Sequence, residues 1–180
     1  MGDDLQIIEQ TKTWIKVVVV GCNFCPFAAR VVKQQSVHYQ VEHATTVSAG
    51  KDALLEECKR MDQEASIATT LLIFPHAFPS LDEYLDFVFK SEKLMKQRGY
   101  DGIYQLASFH PLYQFADTKT DDPENYTNRS IYPMLHLLRE DDITKALEHY
   151  PDSSKIPESN INFARDKGAT YMKMLRDSCI

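Results

Sequence analysis

The spacing of apolar and polar residues predicts several helices along the chain. Apolar side chains recur near helical spacing over residues 4–20 and form one stripe over residues 51–64. A capping box at residues 80–83 opens a longer helix that ends near Gly99, and Pro26 suits the first position of a short one. Residues 14–20 are also rich in β-branched side chains, so a strand is the alternative for them.

Three further segments have the pattern of strands. Residues 36–42 alternate between apolar and polar positions, whereas residues 69–74 and 104–110 are apolar-rich segments that are each followed directly by a proline. Strands that alternate with helices are typical of βαβ units. We therefore expect an α/β fold with a small, mostly parallel sheet of about three strands and flanking helices, in a single domain over residues 1–180.

The remainder of the chain predicts a helical C-terminal part. Pro133 is expected to open a helix that carries Leu135 and Leu138. A second helix is expected from Asp141 to Tyr150, and a last one over residues 157–176. Before them, residues 112–131 lack clear periodicity, and connections of this length are usually functional or disordered. Their aromatic residues favour order.

Composition narrows the classes of function. The chain has 180 residues, of which 43% are hydrophobic and 26% charged, as in ordinary globular proteins. Its net charge of −6 opposes binding to nucleic acid, whose affinity for proteins depends on Lys and Arg. No apolar run is long enough for a membrane span. The acidic start differs from a secretory signal, so we expect a cytoplasmic protein whose four cysteines are thiols.

His110 is the first candidate for chemistry. It ends the third predicted strand, just before residues 112–131, and the carboxyl ends of parallel strands commonly form ligand sites. An imidazole held there can act as an acid or base. The alternative is a histidine that is hydrogen-bonded to the backbone. The following residues supply both donors and acceptors, which we expect to bind a ligand: Gln114, Asn125, Asn128 and Arg129.

The helix predicted after Pro133 would place three more polar residues on one stripe. His136, Arg139 and Glu140 are separated by three and four positions, which share a helical face. Arg129 and Arg139 would then bind a carboxylate or phosphate, since guanidinium groups suit that geometry. An internal network of ion pairs is the alternative.

The cysteines at positions 22 and 25 allow two other kinds of site. A thiol just before a helix has a lowered pKa, which suits redox or nucleophilic chemistry at Cys25 with His110 as its base. A zinc site needs four ligands, and no second CxxC or HxxxH motif supplies them. We therefore predict no metal ligands.

Three strings resemble one family: GCNFCPFA at 21–28, SFHP with YQF at 108–115, and NYTNRS at 125–130 with its continuation to Glu140. The chain resembles the domain-of-unknown-function family 1415 over almost its whole length. That family's pattern has an aliphatic residue at the position of Cys22 and a proline at that of Ile131, which counts against a CxxC mechanism. The resemblance implies the residues to test and assigns no role: Cys25, His110, Gln114, Asn125, Asn128, Arg129, His136, Arg139 and Glu140.

These observations leave three hypotheses, none of which specifies a cofactor or an oligomeric state. The first is a small enzyme that binds an anionic small molecule, with His110 as acid or base and Arg129 and Arg139 as anion clamps. The second is a metal-binding or thiol-redox protein centred on Cys25 with His110 or His136. The third is a non-catalytic interaction module in which the aromatic side chains of residues 112–131 contact a partner.

Overall fold

A computed structural model describes residues 2–148 and 152–180. It confirms the α/β class and most of the predicted elements. The strands are β1 (Val37–Val41), β2 (Thr69–Ile73), β3 (Tyr104–Phe109) and β4 (Met134–Arg139). The helices are α1 (Gly2–Trp14), α2 (Ala28–Lys33), α3 (Val47–Gln63), α4 (Leu81–Gln97), α5 (Glu140–Glu148), α6 (Ile156–Lys167) and α7 (Ala169–Asp177). No helix in the described part of the chain is long and apolar enough to cross a bilayer.

The first helix continues into a π-helical segment, Ile15–Val20, so residues 14–20 form no strand. The backbone N–H of Gly21 closes this segment by donating to the carbonyl of Lys16. A Cβ atom at Gly21 would lie 2.2 Å from the carbonyl oxygen of Val17. Glycine is therefore required where this segment ends.

The four strands form one mixed sheet in the order β1-β2-β4-β3. β1 and β2 are parallel, while β4 pairs antiparallel with both β2 and β3. The three strands expected from the sequence thus run in the same direction, as predicted. A fourth strand, inserted between the second and third, separates them.

This fourth strand corrects the helix expected after Pro133. Met134, Leu135 and Leu137 are completely buried, because β4 lies in the middle of the sheet with side chains packed on both faces. A continuous apolar run of this length fits a buried strand as well as a helix. The stripe of His136, Arg139 and Glu140 is also wrong. His136 and Arg139 point to opposite faces of the sheet, and Glu140 begins α5.

Each face of the sheet packs against its own hydrophobic cluster. On one face, Leu72, Leu135 and Leu137 pack with buried side chains of α3 and α4. On the other, Leu71, Ile73 and Met134 pack with side chains of α1, the π-helical segment, α6 and α7. We call the second face the α1 face. Ser80 caps α4 as predicted, because its hydroxyl oxygen accepts a hydrogen bond from the Glu83 amide.

The C-terminal part is helical, with one difference from the prediction. Residues 157–176 form two helices, α6 and α7, because Gly168 adopts a positive φ of 80° between them. The predicted end of the preceding helix at Tyr150 lies outside the described residues. Residues 112–131 are ordered and contain a short 3₁₀ helix, Pro123–Thr127, which packs against α6 and α7.

Candidate functional site

His110, predicted as an acid or base, lies at the end of β3 with both ring nitrogens hydrogen-bonded to the backbone. Its Nδ1 accepts from the Leu112 amide at 3.0 Å, so Nε2 carries the proton and donates to the Phe78 carbonyl at 2.9 Å. The residue is 1% exposed. Burial lowers the pKa of its imidazole, and the bond to Phe78 opposes this in part. In this conformation His110 braces two turns and offers no free nitrogen to a ligand.

The predicted ligand-binding residues of the following loop mostly bind the loop itself. The buried Asn125 amide accepts from the Phe115 amide and the Thr118 hydroxyl, and donates to the Lys119 carbonyl. Gln114 donates to the carbonyl of Thr118 at 2.6 Å. All of these bonds connect residues 114–125. They explain why a segment without periodicity is ordered.

Arg129 and Asn128 fasten the same loop to the rest of the fold. Arg129 is 7% exposed, donates to the carbonyls of Tyr113 and Thr120, and lies over the ring of Tyr126. Asn128 donates its side-chain N–H to the Ser108 carbonyl on β3 at 3.1 Å. These side chains therefore hold the loop against β3.

Arg139 also binds carbonyl groups of the protein, at the opposite end of β4 from Arg129. Its guanidinium donates to the carbonyls of Met61 and Ile67, and Glu64 accepts a longer bond. β4 alone is roughly 17 Å long at the usual rise of a strand. The two guanidinium groups consequently do not form one anion clamp.

A pocket of about 500 Å³ lies on the α1 face of the sheet. Its floor includes Thr69 and Leu71 of β2, His136 and Leu138 of β4, and Gln105, Ala107 and Phe109 of β3. The pocket runs along the sheet from Val37 and Thr69, at the amino ends of β1 and β2, to Phe109 at the carboxyl end of β3. The cavity thus lies over a face of the sheet, whereas the βαβ pattern predicts a ligand site at the edge formed by the carboxyl ends of the strands.

Three segments of the chain cover this floor. Trp14, Ile15 and Val19 come from α1 and the π-helical segment, residues 25–28 and α2 form the roof, and Ile143 and Ala146 of α5 close one side. Most of these side chains are apolar. A π-helical turn is often found at functional sites, and here it contributes two side chains to the wall.

His136 is the polar group in the floor whose hydrogen bonds define its state. The Thr69 hydroxyl donates to the Leu137 carbonyl at 2.5 Å and lies 2.5 Å from His136 Nε2. A hydroxyl has a single proton to donate, so Nε2–H must be the donor to Thr69. The Nδ1 atom therefore carries a lone pair. It has no hydrogen-bond partner among the described residues. Unlike a fully buried atom, it remains accessible, and it is open to the pocket that His136 lines.

The electrostatics of His136 agree with this assignment. Burial away from water lowers the pKa of its imidazole to about 4. The ring is therefore neutral at pH 7 and presents a hydrogen-bond acceptor to the cavity.

Cys25 lines the same pocket, so the structure brings together two of the predicted side chains, Cys25 and His136. Arg139 also borders the pocket, but its guanidinium binds the carbonyls of Met61 and Ile67 on the other face of the sheet. Burial raises the pKa of the Cys25 thiol, and backbone N–H groups of Phe27 and Ala28 offset only part of this. The expected thiolate is thus not favoured. Cys22 is buried and both thiols are free. Within residues 2–148 and 152–180, no cluster of three His, Cys, Asp or Glu side chains is arranged to hold a metal ion.

The sequence analysis did not identify several residues that line the pocket. Trp14, Thr69 and Phe109 come from three distant segments, and no local motif connects them. Arg30 and Asp142 at the pocket were missed for the same reason. Interpreting residues 134–139 as a strand could have indicated the face, because strand alternation places His136 between Met134 and Leu138.

The fold and the pocket define an α/β protein with an apolar cavity on one face of a mixed sheet. The chain belongs to the family described as "Protein of unknown function (DUF1415)", whose model matches residues 6–174. No curated protein matches the chain, and no solved structure does.

Proposed function

We propose that this protein binds a small, mainly apolar molecule in the pocket on the α1 face, and that a hydroxyl or N–H group of that molecule donates to His136 Nδ1. The observation that carries the proposal is an acceptor without a partner in the floor of an apolar cavity. The volume of about 500 Å³ lies within the usual range of small-molecule sites.

The state of His136 decides which ligand atoms fit. A lone pair repels a carboxylate or a phosphate oxygen and attracts a hydrogen-bond donor. Leaving a buried acceptor unpaired costs about 1–3 kcal/mol, so a donor group gains that much in selectivity over an apolar group. The floor therefore selects for an alcohol, a phenol or an indole-like N–H.

The wall adds a preference for flat rings. Trp14, Phe27 and Phe109 all line the cavity, and the rings of Trp14 and Phe109 are 5.2 Å apart in an edge-to-face arrangement. Aromatic side chains pack favourably on other rings in such geometries. A phenol satisfies both the wall and the floor.

Binding has more support than acid–base catalysis. A general base works best when its pKa lies near the pH at which it acts. The pKa of about 4 makes His136 a weak base at neutral pH, though a good acceptor. The anionic substrate expected with His110, Arg129 and Arg139 has less support, because all three side chains bind backbone carbonyl or amide groups. The thiol-redox hypothesis is supported only by the position of Cys25 at the wall of the cavity.

Fluorescence of the one tryptophan, Trp14, provides the test, because this residue lines the pocket. Purified protein is titrated with 4-propylphenol, with propylbenzene as the ligand that lacks a donor, and with a panel of indoles and alkanols. We expect saturable binding and about tenfold preference for the phenol, equivalent to about 1.4 kcal/mol. The preference should disappear in His136→Leu.

A matched control is His76→Ala, since His76 is exposed and lies outside the pocket. This variant should bind like the wild type. If no member of the panel gives saturable binding below about 1 mM, or if His136→Leu keeps the full preference for the phenol, the proposal is wrong.

A further inference from the structure

The mouth of the pocket contains a guanidinium group that the fold does not use. Arg30 lies on α2, is exposed, and lines the cavity. Among residues 2–148 and 152–180 its side chain has no ion pair and no hydrogen bond. The buried or half-buried guanidinium groups of Arg129, Arg139 and Arg176 all bind carbonyl oxygens.

Arg30 places an unpaired positive charge at the mouth of the pocket although the chain as a whole is acidic. One unpaired guanidinium, of Arg30, and one carboxylate, of Asp142, line the cavity, whereas the guanidinium of Arg139 binds carbonyls on the other face of the sheet. The whole chain carries a net charge of −6. An unpaired guanidinium attracts an anion to this place, while the negative charge of the rest of the chain opposes anion binding elsewhere.

The two ends of the pocket therefore differ in chemistry. The floor presents the His136 lone pair, which accepts a hydrogen bond from a donor group and repels an anion. Arg30 presents a planar set of donors that matches a carboxylate. The apolar side chains lie between them.

We propose, on the basis of the pocket function above, that the ligand is an aromatic hydroxy acid: its hydroxyl donates to His136 Nδ1 and its carboxylate pairs with Arg30. This fixes both the class of the ligand and its orientation. The ring packs against the side chains of Trp14 and Phe109, and the anionic end remains near solvent, where it keeps part of its hydration.

Three probes separate the two ends. 3-(4-Hydroxyphenyl)propanoate has both groups, 4-propylphenol has only the hydroxyl, and 3-phenylpropanoate has only the carboxylate. Each is titrated into the full chain while Trp14 fluorescence is followed. We expect the first probe to bind about fivefold more tightly than 4-propylphenol at low salt, the scale of one partly exposed ion pair. Salt should reduce this advantage and leave the affinity for 4-propylphenol unchanged.

Arg30→Gln tests the pairing directly, and Lys33→Gln is its control. Lys33 lies on the same helix, is exposed, and does not line the pocket. We expect Arg30→Gln to abolish the advantage of the carboxylate with no change for 4-propylphenol, and Lys33→Gln to change neither.

The outcomes distinguish this inference from the function on which it rests. If no phenol binds, the pocket function itself fails. If 4-propylphenol binds and the carboxylate gives no advantage, or if Arg30→Gln leaves the advantage intact, only the hydroxy-acid assignment is overturned. Equal weakening of both phenols by Arg30→Gln also overturns it, since Arg30 would then support the pocket and not the anion.

Discussion

The indole N–H of Trp14 donates to the main-chain carbonyl of Arg129 at 3.2 Å, across 115 positions of sequence. This bond connects the wall of the pocket to the loop of residues 112–131, which is held together by its own hydrogen bonds. Trp14 is 1% exposed, and Arg129 is itself held by two carbonyls of that loop. The pocket and the loop are thus parts of one packed unit.

Replacing Trp14 by Phe should weaken that connection. The change removes the donor and leaves the buried Arg129 carbonyl unpaired, so we expect a loss of about 2 kcal/mol in the free energy of unfolding. Urea titration followed by circular dichroism measures it. Amide hydrogen exchange should accelerate in residues 112–131 more than in α4. Tyr171→Phe, on the surface of α7, should change neither quantity.

The buried amide of Asn125 should be one of the most sensitive positions of the loop. Asn125→Ala removes three hydrogen bonds and leaves the Phe115 amide and the Lys119 carbonyl without their partner. We expect a loss of about 2–4 kcal/mol, read from the same urea titration. Asp121→Ala is a control in the same loop, because Asp121 is exposed. Its stability should stay within about 0.5 kcal/mol of the wild type, and a similar loss in both variants would contradict the assigned role of Asn125.

Stability should depend on the protonation of His136. Its pKa is about 4 in the folded protein, against about 6.5 for a free imidazole, so the unfolded chain takes up the proton first. The contribution of neutral His136 to the free energy of unfolding is complete above pH 6.5, and it decreases as the pH falls from 6.5 towards 4. It amounts to at most about 3 kcal/mol.

Urea titrations of the wild type and of His136→Leu between pH 7.5 and 4 test this. The wild type should lose more stability than the variant across the interval. His110, whose pKa is also lowered, contributes in the same direction in both proteins and cancels in the comparison. Parallel curves for the two proteins would show that His136 does not titrate in this way.

Gly21→Ala should disrupt the end of the π-helical segment. The added Cβ would come within 2.2 Å of the Val17 carbonyl oxygen, so the backbone must move. We expect a loss of about 2 kcal/mol or more, the scale of changes at a constrained backbone position. Because Ile15 and Val19 line the cavity, the affinity for 4-propylphenol should fall as well. Lys16→Ala, an exposed change in the same segment, should preserve both stability and binding.

The sequence predicted the elements whose boundaries carry local signals. Ser80 caps α4, and a proline follows β2 and β3, so these elements were assigned correctly. β4 lacks such a signal: Met, Leu and Arg are good helix formers, and the preference of Leu135 and Leu137 for a strand comes from burial between two helical layers. That environment depends on the whole fold.

The candidate site was predicted only in part, for a related reason. Polar residues around His110 and Arg129 suggested a ligand site, whereas their hydrogen bonds show that they hold the loop in place. The type of a side chain shows which hydrogen bonds it can form, but it does not show whether its partner is a ligand or the protein's own backbone. His136 and Cys25 were found from their types, but the pocket that joins them depends on Thr69, Trp14 and Phe109, which lie far apart in the sequence.

The central position of β4 has a consequence for the order of folding. Thr69 pairs with Leu138, and Tyr104 with Arg139, so β3 has no hydrogen-bonded neighbour in the sheet until the strand between it and β2 is present. During synthesis from the amino end, residues 37–109 emerge while the edges of β2 and β3 that β4 later pairs are still unsatisfied, and such edges promote aggregation. Closing the sheet requires contacts between distant residues, which slows folding. Residue 139 must leave the ribosome before the four strands join, and a nascent chain that is arrested earlier should depend on chaperones to remain monomeric.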